Sequence, residues 1–167
     1  MLPCLYCESA AGAIPQAMVY QDQFVVAFLD WRQTAPGHVL VVPRRHLAAT
    51  DILEGPEAEA LLSAAVRVAA GVRRAVGIDA VQMGAILYPG DGDLGTSGRP
   101  LPSQDAPHET AEDGHFHLHV VPRHHGRMVA RIYPYGDEVA DASDLNAIAD
   151  RIRQALAAPA DARHRMK

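Results

Sequence analysis

The chain has 167 residues, 49% of them hydrophobic and 21% charged, and a formal net charge of −5. That length and composition suit a single globular domain, here residues 1–167, with a self-sufficient core rather than a disordered chain. The negative balance argues against a nucleic-acid partner, although a small anionic substrate remains compatible through a locally positive pocket.

The N-terminal segment "MLPCLYCESAAGAIPQ" lacks the basic start and apolar core of a secretory signal. No stretch approaches the ~20 apolar residues of a membrane span, so no membrane partner is expected and the expected location is cytoplasmic. Its Cys4 and Cys7 are the only cysteines. In a reducing compartment a C-x-x-C suggests half of a metal site or a redox pair, or two incidental thiols, more than a structural disulfide. Residues 18–30, "MVYQDQFVVAFLD", read as strand, turn, strand. "GHVLVVP" (37–43) is a β-branched run closed by Pro43, again a strand, launched by a Pro36-Gly37 turn.

Between Pro56 and Val76, Leu61, Leu62, Ala65, Val66, Ala69, Val72 and Val76 recur at helical spacing. Pro56 fits a first helical turn, and Gly77 fits a C-cap. "DAVQMGAILY" (79–88) is a further strand. Residues 89–114 hold glycine, proline, serine and acids without periodicity and read as a long loop, a length associated with function or disorder. Residues 115–122 read as a strand ended by Pro122. The last element is a helix over 143–157 with Ser143 as its cap, before a loose tail from about 159. One long helix among hairpin-linked strands predicts an α+β fold with a mostly antiparallel sheet.

The segment "HFHLH" (115–119) alternates His115, His117 and His119 with Phe116 and Leu118. In a strand this places three imidazoles on one face, about 6–7 Å apart, and two hydrophobes against the core. Buried together, the three cannot all be cationic, so the group suits proton sharing. Three readings compete: a histidine-rich surface stripe, a catalytic zinc site built on H-x-H, and nucleophilic catalysis by the central imidazole.

"HFHLHVVPR" resembles the His-φ-His-φ-His-φ-φ signature of the histidine triad (HIT) family of nucleotide hydrolases and transferases. "FLDWRQTAPGHVLVVPRRH" (28–46) is similar to that family's other shared block, and the likeness is best over 4–46 and 115–126. The resemblance implies a HIT-like fold, with a five-stranded antiparallel sheet, one long helix and a C-terminal helix, and a homodimer paired across a two-fold. It implies His117 as the nucleophile at an α-phosphate, and His119 and His38 as groups that contact phosphate and handle protons, with no catalytic metal. By position, Asp30 would bind ribose hydroxyls; as a residue it also reads as a turn-former before Trp31. Phe28 and Trp31 would line the base pocket, or belong to the core.

Two departures stand out. The family's Asn-x-Gly is Gln82-Met83-Gly84 here, so Gln82 supplies a longer amide to the pocket or sits on a half-exposed strand. The family's Gly-Gln-Ser/Thr block is replaced at Ala111-Glu112, where Thr110 or Ser103 would have to fold back. An acidic loop beside a phosphate site would need Arg99 or Arg123 to offset it. Zinc-bearing bacterial-type members, and the related galactose-1-phosphate uridylyltransferase, complete the C-x-x-C with two histidines. The resemblance thus implies a structural zinc on Cys4, Cys7, His46 and His115, with His124 or His125 as alternative ligands. The expected activity is hydrolysis at the α-phosphate of a small purine nucleotide, a dinucleoside polyphosphate or a nucleoside phosphoramidate. Nucleotidyl transfer, nucleotide binding with little turnover, and metal-dependent hydrolysis are the alternatives.

Overall fold

A computed structural model describes residues 4–47, 54–85, 115–123 and 140–158. The 89–114 loop, the tail from about 159, His124, His125 and Arg99 lie outside the described residues. The order is α1 (Leu5–Ala11), β1 (Met18–Gln21), β2 (Val25–Leu29), β3 (Val39–Pro43), α2 (Gly55–Val76), β4 (Ala80–Gly84), β5 (Leu118–Arg123) and α3 (Ala142–Ala157). The five strands form one sheet in the order β1-β2-β3-β5-β4, every neighbouring pair antiparallel. This is the expected α+β architecture.

Local chemistry explains most of the elements. Asp22 turns β1 into β2, its Oδ1 accepting from the backbone N–H of Phe24 at 2.8 Å and Val25 at 2.9 Å. Helix α2 opens with Gly55-Pro56 and closes at Gly77, whose φ of 73° lies in the left-handed region. Helix α3 departs from the expected cap: Asp141, two residues before Ser143, is the N-cap and accepts from the Ser143 backbone N–H at 2.7 Å. Aspartate caps as well as serine does, and one cap precludes a second beside it.

Alternation divides the sheet's two faces. Val25, Ala27, Leu29, Val39, Val41 and Val120 point to α2 and α3, where they meet Leu61, Ala64, Ala65, Val68, Val72, Leu145, Ala149 and Ile152. On the opposite face Val26, Phe28, Leu40 and Val42 pack with Tyr6 and Ala10 of α1. The buried stripe of α2 runs through Leu61, Ala64, Ala65, Val68, Gly71 and Val72. Leu62 and Val66, counted in the helix's apolar set, are instead 58% and 52% exposed. The sheet is narrower than that full set and covers only one stripe.

The histidine segment is less regular than a continuous strand. His115 forms a single bridge, and the strand proper begins at Leu118 and passes Pro122 to Arg123. The His115 carbonyl is taken by the His117 ring, with Nδ1 at 2.9 Å, rather than by a ladder. Pro122 is tolerated because pairing with β3 ends at Val120, leaving it beside β4 alone. The alternation survives nonetheless: Phe116 and Leu118 pack against the helix-side core, while His115, His117 and His119 are buried on the other face.

Candidate functional site

The site lies on the sheet face away from the two long helices. His119 is opposite Leu40 in the β3–β5 register, and Leu40 is opposite Phe28 in the β2–β3 register. His38, two residues before Leu40, therefore shares the triad's face. Gly37 makes this approach possible, with φ of 96° and no room for a side chain: a Cβ there would stand 2.9 Å from Val76 and 3.3 Å from Pro122. The loop between Asp30 and His38 is tied internally by Gln33. Its Oε1 accepts from the N–H groups of Gly37 at 2.7 Å and His38 at 3.0 Å. Its Nε2 donates to the carbonyls of His38, at 3.0 Å, and Asp30. Gln33 was not among the residues expected to matter; a lone glutamine in a loop carries no pattern.

Two linked groups of side chains emerge. In the first, Nε2 of His38 and Nδ1 of His119 are 3.0 Å apart, a hydrogen bond in which one nitrogen donates and the other accepts. Nδ1 of His38 faces Asp30 Oδ2 at 3.4 Å, within reach of electrostatic attraction but outside hydrogen-bond geometry. Asp30 Oδ1 accepts from the Arg32 N–H at 2.9 Å, so this carboxylate both closes a turn and faces a histidine. Asp30, His38 and His119 are all buried. Burial, and then the charge His117 would carry, hold the His38 pKa down at about 4 and that of His119 lower still. Both rings are neutral near pH 7.

The second group joins the N-terminus to the triad. Cys4 Sγ and Cys7 Sγ lie 3.4 and 3.5 Å from His115 Nδ1, and Cys7 Sγ lies 3.4 Å from His46 Nδ1. The ligand atoms of all four residues fall within 4.8 Å of one another. Zinc bonds of ~2.3 Å to sulfur and ~2.0–2.1 Å to nitrogen at tetrahedral angles require S···N separations of about 3.5 Å. Hydrogen bonding fixes the tautomer as well. Nε2 of His115 is 3.0 Å from the Pro43 carbonyl, which can only accept, so Nε2 carries the hydrogen and Nδ1 presents its lone pair to the cysteines. Burial lowers the His115 pKa to about 4. The residues present thus fit a closed Cys2His2 zinc site.

His117 bridges the groups. Its ring centroid is 4.8 Å from His119, closer than strand spacing alone implies, and 4.7 Å from the ring of Tyr6. Its Nδ1 donates to the His115 carbonyl.

A HIT domain matches residues 11–126. The chain belongs to the HIT family. It is 30% identical to an uncharacterized HIT-like protein of Methanocaldococcus jannaschii over 123 residues, which cover 74% of this chain and 81% of that protein. A shorter stretch of 44 residues is 50% identical to the Protein hit of Bacillus subtilis, covering 26% of this chain and 30% of that protein. Among solved structures, a zinc-bound histidine triad family protein from Mycobacterium smegmatis superposes with a TM-score of 0.64 at 24% identity, covering 92% of this chain and 93% of that one.

The remaining expected residues scatter more widely in this HIT fold. Phe28 is buried on the triad's face, among Tyr6, Ala10 and Leu40. Trp31 packs instead against the helix-side core, and its carbonyl accepts from Ala140 N–H at 2.8 Å. Gln82 pairs with Val121, two residues from the Gly84–His119 pair, which puts it on the triad's face. Its Oε1 accepts from Arg123 Nη1 at 3.1 Å. Thr110, Ser103, Ala111 and Glu112 lie outside the described residues. Among the described residues no helix is long and apolar enough to cross a membrane.

Proposed function

We propose that this HIT protein hydrolyses a purine nucleotide at its α-phosphate through a nucleotidylated His117. The observation that carries the reading is the hydrogen bond from His117 Nδ1 to the His115 carbonyl. Because a carbonyl only accepts, Nδ1 holds the hydrogen and Nε2 is the nitrogen with the lone pair, the form required of a nucleophile. In the first step His117 Nε2 attacks the α-phosphorus, an N–P bond forms, and the bond to the leaving oxygen or nitrogen breaks. The anionic substrate draws one proton onto the hydrogen-bonded His38–His119 pair as it binds, and His119 passes that proton to the leaving group. In the second step water attacks the same phosphorus, its proton returns to the His119–His38 pair, and the N–P bond breaks, returning the lone pair to His117. Family membership supports a nucleotide-directed hydrolase or transferase. Phosphoanhydrides and phosphoramidates both fit, since each places a poor leaving group where a neighbouring histidine can protonate it. Asp30 and Gln82, with Arg123 beside it, contribute polar contacts to the nucleotide, and Phe28 apolar surface to the base, while Trp31 stays with the helix-side core.

Zinc on Cys4, Cys7, His46 and His115 would be structural, all four positions being filled by protein, and it would tie the N-terminus to the triad. A homodimer is part of the reading. β4 is an edge strand, and Met83 on it, with Leu62 and Val66 on α2, leaves large apolar side chains exposed. The cytoplasm suits the reduced cysteines such a site needs.

The test is mass spectrometry of protein quenched during turnover of diadenosine tetraphosphate or adenosine phosphoramidate. A nucleotide adduct on His117 that chases to free mononucleotide is the expected result. Turnover with no adduct at any quench time would overturn the covalent route and select the metal-dependent one instead.

A further inference from the structure

Tyr6 has no part in the scheme above, yet it touches the residue at its centre. It lies in α1 between the two cysteines and is only 5% exposed. Its ring meets His117 at 4.7 Å with a 35° tilt and meets His115 edge-on at 5.8 Å. His117 is therefore held at one face by Tyr6 and at Nδ1 by the His115 carbonyl. Both holds depend on the cysteine-histidine cluster. His115 belongs to it, and Tyr6 is carried between Cys4 and Cys7.

The helix that carries Tyr6 is not stable by itself. α1 has seven residues, and Cys4 at its N-cap makes no side-chain capping bond. Isolated helices shorter than about 12–15 residues are marginal in water. Its position rests on Tyr6 and Ala10 packing against the sheet, on Arg44 Nη1 donating to the Ala10 carbonyl at 2.7 Å, and on the approach of the two cysteines to His46 and His115. We propose that Tyr6 is a positioning residue for His117, and that closure of the Cys4, Cys7, His46 and His115 cluster presses its ring into place. This rests on His117 being the nucleophile. It gives the cluster a second task, since the side that binds metal also sets the rotamer of the attacking imidazole.

The experiment uses the full chain with Tyr6→Phe, Tyr6→Leu, Cys7→Ser and His117→Ala, and diadenosine tetraphosphate as probe. Three quantities are read: the single-turnover rate of adduct formation, KM, and the 15N histidine NMR signals of His117, which report whether Nδ1 carries the hydrogen. Tyr6→Phe keeps the ring and should stay within about twofold of the parent. Tyr6→Leu should lower the single-turnover rate roughly 10- to 100-fold, the range for losing a supporting residue behind a functional ligand, with KM nearly unchanged. Its His117 signal should shift toward a mixture of tautomers. Cys7→Ser should lose zinc and reproduce both changes, and the double variant with Tyr6→Leu should lose little more, because the two act in series.

A Tyr6→Leu protein with full single-turnover rate and an unaltered His117 signal would overturn the proposal. A Tyr6→Phe protein as impaired as Tyr6→Leu would overturn it too, by moving the role from the ring to the hydroxyl. If Tyr6→Leu does not fold, Cys7→Ser decides: metal-free protein with the parent's His117 signal and rate refutes the coupling. Substantial turnover by His117→Ala would instead remove the nucleophile reading, while the NMR signals still report whether Tyr6 orients that ring.

Discussion

The two faces of this sheet are built from the same strands and do opposite work. Toward α2 and α3, strands β2, β3 and β5 present Val25, Ala27, Leu29, Val39, Val41 and Val120, none of which offers a side-chain hydrogen bond. Toward α1, the segments that continue them present Asp30, His38 and His119 beside Phe28 and Leu40, all buried. The first face gains stability from apolar area removed from water. The second gives some of it up, because imidazoles held neutral in a dry site lose favourable solvation. The difference shows how a chain of this size carries both tasks: a two-residue period lets each strand serve the core with one set of positions and chemistry with the other. Substitutions on the two faces should therefore separate stability from turnover.

The sharpest separation is expected at His117. His117→Ala should lower kcat by on the order of 10^4-fold, about 5.5 kcal/mol of barrier, while leaving nucleotide affinity nearly unchanged. Steady-state rates beside equilibrium binding check this, and a variant retaining a tenth of the parent rate would end the covalent mechanism. On the other face, Ile152 is fully buried against α2. Ile152→Ala should destabilise by roughly 2–5 kcal/mol through lost burial and a residual cavity, with kcat unaltered at temperatures where the protein stays folded. Urea denaturation measures it, and a large kcat loss without destabilisation would mean that the faces are not independent.

Acid should weaken the fold through the histidine face. The folded pKa of His38 is about 4 against 6.5 for the free side chain, so between these values the unfolded chain binds more protons than the folded one. Stability is then full above pH 6.5 and is lost as pH falls toward 4, on the order of 3 kcal/mol for this residue. Denaturation midpoints from pH 7 to pH 4 follow the loss, and His38→Gln should flatten it. A slope unchanged in that variant would place the acid sensitivity elsewhere. The smallest expected effect is at Gln82, on the triad's face but already bonded to Arg123. Gln82→Ala should reduce kcat/KM by about 1 kcal/mol, the net worth of one hydrogen bond, and no reduction would assign Gln82 to supporting Arg123 alone.

Much of this was legible in the sequence because its cause is local. Alternation in residues 115–119, the β-branched run through Val39–Val42, and the apolar spacing that makes α2 all follow from strand and helix periods within a few residues. These sufficed for the antiparallel α+β fold, and with the C-x-x-C and the family resemblance they pointed to the four residues that meet around Cys4. Only the tertiary structure decided the rest. Helix α1 has seven residues, no side-chain bond at its N-cap and only the C-cap Gly12 to announce it, and it settles where Tyr6 and Ala10 find the sheet. The meeting of His38 with His119 joins residues 81 positions apart, and Gln33 becomes important only because the turn it ties delivers His38. Which nitrogen of His115 and His117 carries hydrogen depends on where the carbonyls of Pro43 and His115 lie. A sequence names the titratable groups; their tautomers and partners are set by distances of about 3 Å between segments remote along the chain, which no local period encodes.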